Sequence, residues 1–189
     1  MSFKNYLKSQ NGGSVVYNFG RMNPPHKEHL TLIEDMLAYA KKYKYDDVFV
    51  YTSKVQNAKK NPLNYNDKIF YLKEMVPGGV TVPDNTYKNA WEILENLIKN
   101  GYTKIMFMVG EDRINDFQSM YKYAKQWGEE KGVYVEFKIE RRKGSRGISG
   151  TDMRNFTKEG DFSSFKEGLP KPLKKHAKDI FEKVQRGLS

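Results

Sequence analysis

The chain of 189 residues contains no cysteine, so disulfides cannot stabilise its fold. It has no run of the roughly 18 apolar residues that a membrane-spanning helix requires, and residues 1–14 contain no apolar segment of signal-peptide length. These absences favour a cytoplasmic protein without a membrane partner. Acidic residues are scarce relative to basic ones, because 23 of them oppose 33 lysines and arginines and leave a net charge of +10. Such an excess of positive charge attracts anions, from nucleotides to nucleic acids.

The length of 189 residues is enough for one domain with a full hydrophobic core. We interpret residues 1–13 as a flexible N-terminal lead-in and residues 14–160 as the main domain. Residues 161–189 are then a helical C-terminal extension of the same domain. The sequence contains no internal repeat and no low-complexity segment that would suggest another organisation.

Short apolar runs alternate with segments whose apolar residues recur at helical spacing. The apolar runs predict strands at residues 15–19, 48–51, 80–82, 104–109 and 133–139. Helices are predicted to begin near Leu30, at Asn66, at Thr86, near Asn115 and near Pro172, with Asn66 and Thr86 as N-caps. About five such alternations are typical of an α/β fold. We therefore predict a single Rossmann-like, doubly wound domain of about five parallel strands, with helices on both faces and a C-terminal helical tail.

The segment GRMNPPHKEH, residues 20–29, lies between the first predicted strand and the first predicted helix. It places His26 and His29 three residues apart at a strand-to-helix junction. In a parallel α/β sheet, ligands bind outside the carboxyl ends of the strands, and a helix N-terminus there presents free N–H groups and a positive dipole end to anions. The two imidazoles are therefore expected to face one anion.

This segment resembles the first motif of the HxGH nucleotidylyltransferase superfamily, which has the pattern GxFxPxHxGH. The matching residues are Gly20, Pro24, His26 and His29. Two positions depart from the pattern, because Met22 replaces the phenylalanine and Glu28 replaces the glycine between the histidines. Met22 keeps an apolar side chain. Glu28 places a carboxylate where a small residue usually lies, and it either weakens phosphate binding or points to solvent.

A second segment, ISGTDMR at residues 148–154, resembles the ISSTxxR motif of the same superfamily. Either Ser149 or Thr151 can begin a helix there. The two motifs come in the superfamily's order, and each stands at a predicted strand-to-helix junction. The resemblance extends over residues 15–156, so the chain is identified as a member of this superfamily.

The resemblance implies nucleotidyl transfer, in which the phosphate of a phosphorylated small molecule attacks the α-phosphorus of a nucleoside triphosphate. It implies ATP as the triphosphate and Mg²⁺ as a cofactor held mainly by that triphosphate, without a set of metal ligands from the protein. The catalytic residues implied by the resemblance are His26, His29, Arg21 and Arg154. The residues implied in nucleotide binding are Phe19, Gly20, Met22, Lys54, Gly110, Asp112, Arg146, Ile148, Ser149, Gly150 and Thr151.

Several details resemble the archaeal-type nicotinamide mononucleotide adenylyltransferases within this superfamily. They are the arginine after the first glycine, the SGTxxR form of the second motif, Asn61-Pro62 before a helix, and Pro83-Asp84 before a helix that carries Trp91. The resemblance implies nicotinamide mononucleotide as the acceptor, with Asn61, Asp84 and Trp91 contacting it. By spacing alone, Trp91 also fits a core stripe with Leu94 and Ile98, and Asp84 fits an ordinary turn. For each of these two residues, the acceptor contact and the structural interpretation both stay open.

Two other functions are consistent with the sequence. A cytidylyltransferase would use CTP, and residues 146–149 partly resemble the RTxGIST form of its second motif, although Gly150 stands at the threonine position. A catalytically inactive nucleic-acid-binding or virion-associated protein on the same fold would explain Glu28 and the net charge. Its basic cluster would be Arg141, Arg142, Lys143 and Arg146. The adenylyl interpretation is favoured over both, and homo-oligomerisation stays open.

Overall fold

The computed structural model describes residues 12–84, 87–142 and 147–189, with residues 111–113 and 141–142 described by their main chain only. Within these ranges the strands are β1 (Gly13–Gly20), β2 (Asp47–Thr52), β3 (Tyr102–Gly110) and β4 (Glu136–Arg142). All neighbouring pairs are parallel, and the order across the sheet is β2-β1-β3-β4. The predicted lead-in falls outside the described residues except for its last two.

The helices of the described ranges are α1 (Lys27–Lys42), α2 (Tyr65–Met75), α3 (Ala90–Lys99), α4 (Met120–Glu130), α5 (Gly150–Glu159), α6 (Phe162–Gly168) and α7 (Ala177–Leu188). Two 3₁₀ helices, Glu111–Phe117 and Lys171–His176, precede α4 and α7. Helices cover both faces of the sheet, so the predicted α/β fold with C-terminal helices is confirmed. No helix in this part of the chain has both the length and the apolar character needed to cross a membrane.

Both faces of the sheet are apolar, because alternate residues of each strand face opposite sides. Val16, Val50 and Met106 belong to a first core, which α1, α2 and the C-terminal helices α5–α7 close. Tyr17 and Phe107 belong to a second core, which α3 and α4 close. Burial on both faces explains why the strands read as continuous apolar runs in the sequence.

The strand predicted at residues 80–82 requires a correction. Thr81 forms a single parallel bridge to β2, with Thr81 N–H donating to Val48 O at 2.9 Å and Val50 N–H donating to Thr81 O at 3.0 Å. Pro83 carries no N–H and cannot continue the pairing. The described residues therefore form four strands, and one bridge stands where a fifth strand was expected.

The helix caps also differ from the predicted ones. The cap of α2 is Asn64, whose side chain accepts a hydrogen bond from Asp67 N–H at 2.9 Å, so the prediction of Asn66 was wrong. The cap of α3 is Asn89, and the predicted cap Thr86 lies outside the described residues. Neighbouring asparagines are equally good caps, and the choice between them depends on where the main chain becomes extended.

Three further boundaries shift by a few residues. The helix predicted near Asn115 is divided into the 3₁₀ helix and α4, and the helix predicted near Pro172 begins as the second 3₁₀ helix. The strand predicted from residue 133 begins at Glu136. The reason is that Gly132 has φ +68° and Val133 N–H donates to Gly128 O at 2.9 Å, which closes α4 before the strand can start.

The sheet opens between β1 and β3 at its carboxyl edge. Pairing of β1 with β2 continues to Gly20, whereas pairing of β1 with β3 stops at Tyr17. The side chain of Asn18 spans the gap, since its Nδ2 donates to Met108 O at 2.7 Å. Ligands of doubly wound sheets bind outside a crevice of this kind, where the strand order changes direction.

Candidate functional site

Two histidines form the start of α1. His26 is the N-cap residue, has an extended backbone and is buried. Its main-chain N–H donates a hydrogen bond to Nδ1 of His29 at 3.2 Å. Since Nδ1 accepts, neutral His29 carries its proton on Nε2 and presents that N–H as a donor. The ring centroids are 3.8 Å apart, so the two imidazoles lie side by side.

Both imidazoles are uncharged near neutral pH. Burial lowers the pKa of His26 to about 4, while Asp152 acts against this shift and Arg154 adds to it. Burial, followed by the effects of His26 and Arg21, holds the pKa of His29 well below its usual range. An anion bound beside the two rings would favour their protonated forms and raise both pKa values.

Gly20 and Met22 shape the turn that follows β1. Met22 is fully buried in the first core and has φ +49°, a left-handed conformation that costs a residue with a side chain about 1–2 kcal/mol. A β-carbon at Gly20 would lie 3.0 Å from Cε of Met22, which is closer than ordinary packing allows. Gly20 therefore leaves room for Met22 to fill the core, as predicted for an apolar residue at this position.

Asn23 links the first motif to two other parts of the chain. Its buried side chain pairs with the main chain of Leu63, accepting from N–H at 2.8 Å and donating to O at 3.5 Å. Its main-chain carbonyl accepts a hydrogen bond from Nη1 of Arg154 at 3.0 Å. Sequence analysis missed this residue, and the available signal was an asparagine directly before Pro24 and Pro25.

The start of α5 lies against the start of α1. Ser149 is the cap of α5 and forms a capping box with Asp152, in which Asp152 N–H donates to Ser149 Oγ at 3.2 Å and Ser149 N–H donates to Asp152 Oδ2 at 2.8 Å. A β-carbon at Gly150 would lie 3.8 Å from Nε2 of His26 and 3.7 Å from the carbonyl oxygen of Asn23. Two helix N-termini therefore meet at one place, and the first turn of a helix presents main-chain N–H groups and a positive dipole end to an anion.

Two arginines complete this cluster. Arg154 is half-buried and donates from Nη2 to Oγ1 of Thr151 at 3.0 Å, besides its bond to Asn23. Burial and the positive charge of Arg21 both lower the pKa of Arg154. Arg21 is exposed, and its positive charge also lowers the pKa of His29. We name His26, His29, Gly150, Arg154 and Arg21 the anion clamp.

Glu28, the residue that departs from the superfamily pattern, is directed at the second motif. Its carboxylate occupies the space that a β-carbon at Gly147 would take. The glycine at 147 thus compensates for the glutamate at 28, because the missing side chain makes room for the carboxylate. A cavity of about 450 Å³ lies beside this contact and is lined by Glu28, Ile148, Phe156 and residues of α6.

The loop after β2 contributes two predicted residues. Lys54 is exposed, and its Nζ lies 5.0 Å from the centroid of the Tyr65 ring. Asn61 is buried and pairs through its main chain with Asn57. Within the described residues, Oδ1 of Asn61 has no hydrogen-bond partner. The loop is joined to the end of β1, directly before Arg21, through Ser53 N–H, which donates to Gly20 O at 3.0 Å.

The other predicted nucleotide-binding residues differ in their surroundings. Phe19 packs against the second core and Ile148 against the first. Gly110 is the last residue of β3, at the same edge of the sheet as the anion clamp. The side chain of Asp112 and the whole of Arg146 lie outside the described residues. A role in nucleotide binding stays a prediction for all of them.

The predicted acceptor residues Trp91 and Asp84 take part in other contacts. Trp91 is half-buried at the start of α3, and its ring centroid lies 5.4 Å from that of Phe117. Asp84 is exposed and pairs with Lys73 of α2 at 2.9 Å. These contacts agree with the core interpretation of Trp91 and the turn interpretation of Asp84. Contact with an acceptor stays a prediction for both residues.

Similarity to known proteins agrees with the geometry. The chain matches a family model described as cytidylyltransferase-like over residues 17–156, a range that includes both motifs. It is 30% identical over 133 residues to a probable nicotinate-nucleotide adenylyltransferase of Thermosipho melanesiensis, and this match covers 65% of the chain and 60% of that protein.

The fold is also similar to a solved structure, that of Thermotoga maritima TmcAL bound with alpha-thio ATP. The TM-score is 0.51 with 15% sequence identity, and the match covers 92% of this chain and 55% of that chain. At this identity the likeness shows the fold alone. The chain thus spans less than two thirds of the length of either of these two proteins.

Proposed function

The chain belongs to the cytidylyltransferase-like family, and we propose that it transfers an adenylyl group from ATP to the phosphate of nicotinamide mononucleotide, giving NAD and pyrophosphate. The observation that carries this proposal is the meeting of two helix N-termini, where Gly150 lies beside His26. This arrangement brings neutral hydrogen-bond donors and positively charged side chains together at one place. Such groups bind the phosphates of a triphosphate.

The proposed reaction is a direct displacement at phosphorus. A phosphate oxygen of the acceptor forms a bond to the α-phosphorus of ATP, and the bond from that phosphorus to the bridging oxygen breaks. Pyrophosphate leaves with the electron pair. Such a reaction depends on positioning and on stabilising negative charge as it spreads over phosphoryl oxygens, and it needs no covalent enzyme intermediate.

The imidazoles and arginines of the anion clamp have distinct proposed roles. His29 donates from Nε2–H to the α-phosphate, because its Nδ1 is already held by the main chain of His26. His26 donates to a neighbouring phosphate oxygen. Arg154 uses two of its nitrogens in contacts with the protein, and the remaining N–H groups of its guanidinium can bind the β- and γ-phosphates together with Arg21.

Mg²⁺ would be held mainly by the phosphate oxygens and water, and it would neutralise charge on the triphosphate. Ser149 and Thr151 stand at the start of α5, where main-chain N–H groups add to the donors. Lys54 supplies a further positive charge from the loop after β2. No protein carboxylate is required for this set of contacts.

Three features support ATP and a pyridine mononucleotide as the substrates. The relative from Thermosipho melanesiensis is named as a probable nicotinate-nucleotide adenylyltransferase. The second motif has the SGTxxR form, and Trp91 supplies an indole that can stack on a pyridine ring. Nicotinamide and nicotinate mononucleotides differ only in a carboxamide or carboxylate, so both belong in the test.

The test supplies the protein and Mg²⁺ with ATP or CTP and with a panel of acceptors, and it identifies products by mass spectrometry. We expect NAD from ATP and nicotinamide mononucleotide. Product from nicotinate mononucleotide alone would change the acceptor but keep adenylyl transfer. Product from CTP alone would reassign the protein as a cytidylyltransferase, and no product with tight nucleic-acid binding would reject enzymatic activity.

A further inference from the structure

Lys68 is a fully buried lysine in the first turn of α2. Its Nζ donates hydrogen bonds to the main-chain carbonyl of Ser53 and, at 3.3 Å, to that of Val55. Burial lowers the pKa of this ammonium to about 8. Within the described residues this cation is held by main-chain carbonyls alone, and a buried cation of that kind is unfavourable compared with an apolar side chain of similar volume. The presence of a lysine at this position therefore indicates a function other than stabilising the core.

The two carbonyls belong to the residues on either side of Lys54. One ammonium thus holds the main chain before and after the exposed lysine that was predicted to assist ATP binding. The Lys54 side chain is in turn held over the ring of Tyr65, at 5.0 Å from Nζ to the centroid, and Tyr65 begins the same helix as Lys68. Contacts with α2 therefore hold both the backbone and the side chain of Lys54 in place.

The same stretch of chain is fastened to the first motif. Ser53 N–H donates to Gly20 O at 3.0 Å, and Oγ1 of Thr52 donates to Arg21 O at 3.2 Å. Lys68 therefore holds a segment that is also bonded to the main chain just before the histidines. A shift of the residues around Lys54 would be opposed by both sets of bonds.

We propose that Lys68 is a positioning residue that fixes the main chain on both sides of Lys54, so that Lys54 presents its charge to the triphosphate. This inference rests on the proposed function for the identity of the ligand. The hold of Lys68 on the loop is a property of the ligand-free protein and can be measured separately.

A double-mutant cycle tests the coupling. The variants are Lys68→Met, Lys54→Met, the double variant, and Lys59→Met as a control, since Lys59 is exposed in the same loop and has no part in the proposed site. The readouts are KM and kcat with ATP. We expect each single substitution at 54 or 68 to raise the KM for ATP about tenfold, the scale of one charge-assisted hydrogen bond. The double variant should be no worse than either one, with kcat and the control unchanged.

Hydrogen exchange in the ligand-free protein tests the hold directly. We expect Lys68→Met to accelerate exchange at the amides of Ser53 and Asn57, which are hydrogen-bonded within this part of the structure. Lys54→Met should leave the same amides unchanged. Thermal unfolding checks that the variant is folded, and Lys68→Gln, which keeps a neutral donor, replaces Lys68→Met if that protein does not fold.

The outcomes separate this inference from the proposed function. If the wild-type protein transfers a nucleotide but the effects of Lys54→Met and Lys68→Met multiply in the double variant, the positioning role is wrong and the proposed function stands. Unchanged exchange in Lys68→Met also overturns it. A wild-type protein that neither binds ATP nor releases pyrophosphate overturns the proposed function, and the role of Lys54 with it.

Discussion

The direction of a single hydrogen bond determines what His29 can do. Because Nδ1 accepts from the main chain of His26 at 3.2 Å, the proton of the neutral ring lies on Nε2. The sequence predicted both histidines from their spacing and motif, but it carries no information on which nitrogen faces the ligand. The start of α1 supplies that information, because the main-chain N–H of the N-cap residue His26 bonds to Nδ1 of His29 and leaves Nε2 as the donor.

Replacing His29 should therefore remove a donor without disturbing the core. We expect His29→Ala to lower turnover at least ~10²-fold, the scale for loss of one donor to a transition state. The measurement is pyrophosphate release with saturating ATP and acceptor. His176→Ala is the matched control, because His176 pairs with Glu74 at 3.3 Å on α2 and stands apart from the anion clamp. Similar turnover by the two variants would contradict the role of His29.

The low pKa of His26 predicts how the free energy of unfolding depends on pH. In the unfolded chain this histidine titrates near its ordinary pKa of 6.5, whereas in the folded protein it titrates at about 4. The unfolded state therefore binds more protons between these values, and stability falls as the pH decreases through that window. A shift of this size corresponds to about 3 kcal/mol. Urea unfolding of the wild type and His26→Asn, followed from pH 7 to 4, should show a shallower decrease for the variant.

Glu28 departs from the glycine of the first motif, and a glycine elsewhere in the chain makes room for its side chain. Its carboxylate lies in the space left free at Gly147, so the glycine of the usual pattern is not needed at position 28. We expect Glu28→Gly to keep pyrophosphate release within about threefold of the wild type while lowering the melting temperature, since glycine costs a helix up to about 1 kcal/mol. Glu34→Gly, at an exposed position of α1, gives the cost of glycine alone. A change in turnover above tenfold at position 28 would show that the carboxylate contacts the substrates.

At the scale of elements, the starts of α1 and α5 supply most of the candidate site, and the turn after β1 supplies Arg21. The sequence predicted a helix near Leu30 and another at Ser149 or Thr151, and the two helices begin at Lys27 and Gly150, with His26 and Ser149 as their N-caps. Residue pairs distant in sequence were not predictable. Asn23 binds Leu63 and Arg154, and Lys68 binds the main chain around Lys54. Such contacts depend on how helices pack, which spacing and propensity do not encode.

The cap of α5 should matter for binding as well as for stability. Ser149→Ala removes a capping side chain, for which we expect a loss of about 1 kcal/mol in the free energy of unfolding. It also loosens the first turn of α5, where Gly150 lies beside His26, so the affinity for ATP should fall about tenfold. Asn89→Ala removes an equivalent cap from α3, on the other face of the sheet. That variant should lose the same stability and keep its affinity for ATP, as measured by calorimetry.

At the scale of the whole molecule, the order β2-β1-β3-β4 explains why the candidate site lies at one edge of the sheet. The continuous apolar runs of β1, β2 and β3 predicted buried parallel strands, and the strand order then follows from crossovers that the sequence does not specify. Residues 80–82 have the same composition as a short strand, but Pro83 removes the donor needed for a second bridge. The partial pairing of β1 with β3 and the resulting crevice could likewise not be predicted from the sequence.

The net charge of +10 is expected to attract anionic ligands to this edge of the sheet from a distance. Positive potential raises the association rate of anionic ligands and is screened by salt, since the Debye length falls from about 30 Å at 0.01 M to about 3 Å at 1 M. We expect the KM for ATP to rise about tenfold between roughly 0.05 M and 0.5 M potassium chloride, with kcat changing less than twofold. Adenosine, which lacks the phosphates, should inhibit equally at both salt concentrations because its binding involves no charge. If kcat falls instead, salt acts on the transition state or on folding, and if neither constant changes, the net charge plays no part in capturing the triphosphate.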